Sequence, residues 1–342
     1  MLARILLDVL APILLMISLG AILRWKFEID LGTLSKLNIY LLVPAFIFDK
    51  VSTSTLSWEE MGGVVTISVV QVVTLGAIVW GIGKLFRLER KMLAAVALAV
   101  MFYNSGNYGL PLAELAFPGK DAPGAVAAAT QAARGAVQKD GAAVQAFILM
   151  TQNVLGYSLG LLIAASAHSS GLGKAFVQMF RLPVLPTLAL ALVARWWLKM
   201  DSSHQLPVAI SKTAAYLSAG LVPIALATLG AQLASNPRWP RWKPVSLVLV
   251  LRLVLGPVQM AALLWGFHMM GGGALDLWGK DGWPAELLIL TAGVPTAIVT
   301  LLLTLELGGD VDLAADCVFW TTIFSCATIS IWLLVLRVWF GS

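Results

Sequence analysis

Apolar runs long enough to cross a lipid bilayer follow one another along nearly the whole chain. VVTISVVQVVTLGAIVWGIG at 64–83 carries no charge at all. A spanning helix needs about 20 such residues. Strands of a membrane barrel are about half that length and alternate apolar with polar. These runs are continuous, so a transmembrane barrel is excluded and an all-α polytopic membrane protein is expected. The chain is 59% hydrophobic and 12% charged, which no soluble domain of this length could bury. Ten candidate spans emerge, at 2–24, 32–52, 62–83, 91–117, 141–165, 175–198, 207–234, 244–270, 284–307 and 311–340. The first is too long for a signal peptide, lacks a small-x-small cleavage site and runs into RWK, so it reads as a span. Between spans, 118–140 is the one long connector, an Ala/Gly-rich loop or weak surface helix.

Charge and sulfur say little about chemistry. The net charge of +5 is spread over connectors, and no basic cluster is interleaved with aromatics, so nucleic acid is not a partner. Lys and Arg crowd the tight connectors around Arg24, Lys84, Arg90 and Arg241. Those loops are placed in the cytoplasm, with both termini outside. The opposite set includes Arg195 and Arg337. Cys317 and Cys326 lie nine helical steps apart, roughly 13 Å, too far to bridge. They read as packing residues. His168, His204 and His268 have no metal-ligand spacing, so no metal site is expected. No nucleotide loop or catalytic triad is visible, so neither an enzyme nor a cofactor is expected.

The fourth span interrupts this pattern. NSGNYGLPL at 104–112 puts asparagines, glycines and a proline inside an apolar run. AGVPTAIV at 292–299 does the same in the ninth span. LLVPAFIF at 41–48 echoes GLVPIALA at 220–227, and LAPILLMISLGAILRWK at 10–26 echoes VLPTLALALVARWWLK at 184–199. The chain is therefore read as two five-helix repeats, 1–165 and 166–342. An odd number of spans inverts the second copy, the plan of secondary transporters whose solute sits where the copies meet.

Proline inside a helix frees a carbonyl and strikes the preceding turn. In lipid such a break must face protein or a water-filled cavity. Each break also exposes a half-helix N-terminus worth about half a positive charge, and two of them meeting at the midplane make an anion site without a basic side chain. Gly109 with Pro111, and Gly293 with Pro295, form the two breaks; Asn104 and Asn107 supply amide donors, and Thr291 and Thr296 flank the second break. On the fifth span Gln152 and Asn153 are adjacent, so one of them faces inward, either to the site or to a neighbouring helix. Both breaks lack a carboxylate or lysine, which argues against sodium–proton exchange. Asp8 starts the first span, and Arg252, inside the eighth, has three readings: snorkelling, an acid partner, or an anion path.

NSGNYGLPL, LNIYLLVPAFIF, GLVPIALATLGAQLA and AGVPTAIVTLLLTLELGGDVDLAADCVFWTTIFS together resemble the auxin efflux carrier family, in bacterial-type form, over nearly the whole chain. The resemblance implies a ten-helix fold similar to bile acid–sodium symporters. In it, helices 1, 2, 6 and 7 form a scaffold, and helices 3–5 and 8–10 a transport domain whose helices 4 and 9 cross. It implies elevator-like transport with Asn104, Asn107 and Pro111 lining one half of the crossing and Pro295 the other. Where family members carry an asparagine after the second proline, this chain has Ala297 and Ile298. The expected function is a secondary carrier of a small organic anion, a carboxylate, across the membrane. A sodium-coupled symporter and a non-transporting sensor on the same fold are the alternatives, and a homodimer is compatible with all three.

Overall fold

A computed structural model describes residues 11–54, 56–117, 141–166, 183–200, 205–235, 239–271, 273–278, 283–306 and 309–340. The 118–140 connector, Asp8, His168 and His204 lie outside the described residues. The helices are α1 (Ala11–Lys26), α2 (Leu31–Ser52), α3 (Trp58–Leu85), α4 (Arg90–Met101), α5 (Leu110–Ala116) and α6 (Gly141–Ala164). Then follow α7 (Val184–Met200), α8 (Val208–Ser235), α9 (Trp242–Met269), α10 (Trp283–Ala292), α11 (Ile298–Glu306) and α12 (Val311–Phe340). Helix covers described residues of every expected span. Six of the helices, α2, α3, α6, α8, α9 and α12, are long and apolar enough to cross a membrane singly. The expected fourth and ninth spans are each split in two.

Wide helical turns absorb several prolines. Widened π-type turns occur at Asn38–Leu42, Ser105–Gly109 and Val250–Leu255. Two residues after the end of each comes Pro44, Pro111 or Pro257. A proline ring crowds the carbonyl one turn back and has no N–H to offer it. Widening that turn relieves the crowding while the helix continues. Pro111 is thus helical, in the first turn of α5, and is not where the fourth span breaks. Pro223 sits inside α8 without such a turn, and nothing in the structure explains the difference.

Two apolar cores organise the packing. In the first, α1 and α7 pack on α8 and α2 through Ile13, Ile17, Phe46, Ile47, Leu188, Leu221 and Leu229. Here α1 and α8 touch backbone to backbone. A Cβ on Gly20 would land on the Ala227 carbonyl, and one on Gly230 on the Ile17 carbonyl, the close approach that small residues allow between membrane helices. The second core joins α3, α4 and α9 through Val72, Leu75, Val96, Val100, Val245 and Val248. Outward faces are apolar too: Leu15, Leu19, Leu190, Val193, Ile331 and Val335 are exposed, a surface suited to lipid and not to water. Trp25, Trp58, Trp196, Trp239 and Trp339 are exposed at or beside helix ends, as in an interfacial aromatic belt.

Arginines are buried against helix C-termini. Arg195 of α7 donates to the carbonyls of Ser54 and Leu56, just past α2. Arg337 of α12 pairs with Glu286 at 3.1 Å and donates to Ala116 O at the end of α5. A cation at the negative end of a helix is stabilised by the aligned peptide dipoles. Both arginines enter the charge comparison of connectors, yet they are 1% and 4% exposed, so neither weighs on orientation.

Candidate functional site

Between α4 and the turn that opens α5 the helix is interrupted at Phe102–Asn104, and between α10 and α11 at Gly293–Ala297, a turn that leads into the bridging residue Thr296. These two interruptions meet. Tyr103 and Thr296 form an antiparallel bridge. Asn104 N donates to Pro295 O at 2.8 Å, and Ala297 N to Phe102 O at 3.0 Å. A two-residue scrap of sheet, buried among helices, therefore closes the crossing. It satisfies backbone groups that would otherwise be orphaned in an apolar interior.

Most of the remaining carbonyls are satisfied just as specifically. At the end of α4, Leu98 O accepts from Phe102 N, Ala99 O from the Thr296 hydroxyl at 2.8 Å, and Val100 O from Arg252. At the end of α10, Leu290 O accepts from Gly293 N and Thr291 O from Val294 N. Ala292 O and Val294 O accept from Arg252. The Arg252 side chain is fully buried, and its guanidinium carbon lies 4.7 Å from the centre of the Tyr103 ring. Gly256 makes room for it, because a Cβ there would sit 2.8 Å from Ala292 O and 3.4 Å from Arg252 Nη2. Of the three readings of Arg252, none holds. It neither snorkels nor pairs with an acid among the described residues, and it lies off the cavity wall described below. It caps the C-termini of both broken helices.

The opposite ends face a cavity of about 180 Å³. Ser105, Gly106 and Asn107 open one half-helix there, and Ile298 and Val299 open the other. Asn104 is the cap of the first, its Oδ1 accepting from Asn107 N at 3.1 Å. Asn104 Nδ2 and both polar atoms of Gln152 are buried with no protein hydrogen-bond partner. Buried donors in that condition are costly unless something else meets them. Ser35, Ile39 and Val43 of α2, Val184 of α7 and Gln232 of α8 form the facing wall.

The cavity thus gathers Asn104, Asn107, Gln152 and Asn153 of the residues singled out from sequence. The others stand behind it. Gly109 passes against Gln145, whose Nε2 donates to Ser105 O at 3.0 Å. Pro111 is buried in the first turn of α5. Thr291 bonds back to Leu288 O, and Thr296 is held by Ala99 O and the Thr321 hydroxyl. Gly293 packs on Pro257, and Pro295 contributes its carbonyl to the crossing. Sequence reasoning did not identify Ser35, Ser105, Gln232 and Tyr157, which also line the space. A polar residue on an otherwise apolar helix face is the signal that was available for Gln232.

A family profile described as "Membrane transport protein" matches residues 7–172 and 183–333. An uncharacterized transporter of Methanothermobacter thermautotrophicus is 25% identical over 338 residues, covering 96% of this chain and 98% of the relative.

Proposed function

The chain belongs to the membrane transport protein family, the auxin efflux carriers that its motifs resemble, and from that premise we propose that this transporter is a secondary carrier of a small organic anion, a carboxylate. The observation that carries the reading is the polarity of the crossing. Two half-helices aim their N-terminal ends at one cavity, while their partners' C-terminal ends are turned away and capped by Arg252. Each N-terminal end acts as about half a positive charge, and Asn104, Asn107 and Gln152 add amide donors. Apolar Ile39, Val43, Leu149 and Leu302 line the rest, which suits a carboxylate on a short hydrocarbon body. The cavity volume fits a small solute, below the size of drug-binding pockets.

In this reading the ten helical spans form two inverted five-helix repeats in the plasma membrane, with both termini outside. The cavity lies between a scaffold containing α1, α2, α7 and α8 and a transport domain containing α3–α6 and α9–α12. Elevator-like sliding of the second against the first carries the solute across. Uptake of labelled mono- and dicarboxylates into proteoliposomes tests this. Saturable flux that falls at least about tenfold in Asn107→Ala, by the loss of one charge-assisted hydrogen bond, supports it. Saturable binding without flux identifies a sensor, and flux that needs sodium a symporter.

A further inference from the structure

The broken helices expose carbonyls as well as N–H groups, and the carbonyl side is filled from within the chain. Val100 O, Ala292 O and Val294 O converge on the Arg252 guanidinium from both breaks, one to each of its three nitrogens. The Tyr103 ring covers a face at 4.7 Å, adding the attraction of its π electrons. The group is 0% exposed, and no carboxylate pairs with it among the described residues. Among the described residues its charge is balanced by peptide dipoles and the Tyr103 ring. Unwound carbonyls and half-helix C-terminal ends are the ligands that hold a coupling sodium ion or proton in broken-helix transporters.

We propose that Arg252 is a resident cation. Its guanidinium occupies the carbonyl cage that a coupling metal ion would otherwise fill, so the crossing assembles and the cavity keeps its positive poles without any alkali ion. Arg252 is thus a positioning residue: it touches no solute, and it holds the two breaks in the register that points their N-termini at one place. Each of its nitrogens donates to a carbonyl and the side chain lies off the cavity wall, so it is not placed as a ligand for the anion. The consequence for flux rests on the carrier reading above; the consequence for stability does not.

The test uses purified full-length protein and the variants Arg252→Ala, Arg252→Gln and Arg252→Lys, in buffers whose cation is choline, sodium, potassium or millimolar guanidinium. Wild type is expected to melt at the same temperature in all four. Arg252→Ala is expected to melt lower in choline and to recover in guanidinium or an alkali ion. Arg252→Gln keeps donors without charge and is expected to behave as the alanine variant does, while Arg252→Lys keeps most of the wild-type stability in choline. In proteoliposomes, carboxylate flux by wild type is expected to ignore replacement of sodium by choline. Arg252→Ala or Arg252→Gln is expected to lose about tenfold or more and to regain flux with guanidinium. The proposal is overturned by a wild type whose melting or flux requires sodium, or by Arg252→Gln matching wild type in choline. It is equally overturned by a folded Arg252→Ala or Arg252→Gln that no cation restores. Should wild type carry no carboxylate at all, the carrier reading fails, and the melting measurements still decide the role of Arg252.

Discussion

The two breaks that meet at the crossing are built from different material. The first carries asparagines at 104 and 107 and a serine at 105, all on the cavity wall, and Asn104 Nδ2 has no protein partner. The second carries Thr291 and Thr296, both 0% exposed, whose hydroxyls donate to the carbonyls of Leu288 and Ala99. Ala297, where the second break reaches the cavity, has no polar group to offer. On the proposed reading, one break recognises the solute with side chains and the other with backbone alone. In that reading both helix ends serve the electrostatics, but only one arm has to carry selectivity.

Substitutions at the two arms should separate accordingly. The largest effect is expected from Asn104→Ala, which removes the free amide donor and the cap on Asn107 N. Carboxylate affinity measured by calorimetry should fall about 10- to 100-fold, the worth of a hydrogen bond to a charged group. Asn107→Ala should cost about tenfold on the same scale, with the melting temperature nearly unchanged. Thr296→Val should do the reverse. It removes the bond to Ala99 O, lowers unfolding stability by about 1 kcal/mol, and leaves affinity alone. If Thr296→Val weakens binding as much as Asn107→Ala does, the division between the arms is wrong. The smallest effect is expected from Ala297→Asn, which gives the second arm an amide. It should alter the preference between mono- and dicarboxylates by only a few-fold, read by competition, and leave stability unchanged.

Much of the architecture was legible because it rests on continuous apolarity. Runs such as 64–83 can be little else but membrane helix, and helix is found in every stretch so marked. The second break was legible through Pro295, which lies within it. Its counterpart was misplaced. The Gly-Leu-Pro motif points to Pro111, whereas the chain leaves the helix at Phe102–Asn104, and the widened turn Ser105–Gly109 then lets the proline continue in α5. Asparagine marked the true break and proline did not, because the widened turn before Pro111 relieves the crowding its ring causes and lets the helix continue. The role of Arg252 was hidden for another reason. Its partners are backbone carbonyls at 100, 292 and 294, and backbone acceptors leave no trace in side-chain identity. Likewise the facing wall of α2 and α8 offers only isolated polar residues such as Ser35 and Gln232, which single-helix patterning does not connect to a site elsewhere in the chain.

The central claim is that an anion sits against the two N-terminal ends and away from the two C-terminal ends. The most direct measurement is anomalous scattering from crystals soaked with a small bromo-substituted carboxylate. The account predicts a bromine peak inside the cavity, with the carboxylate within hydrogen-bonding distance of Asn104 or Asn107 and beside the first turn of α11. A peak on the far side of the crossing against Arg252, or none in the cavity at saturating ligand, would contradict it.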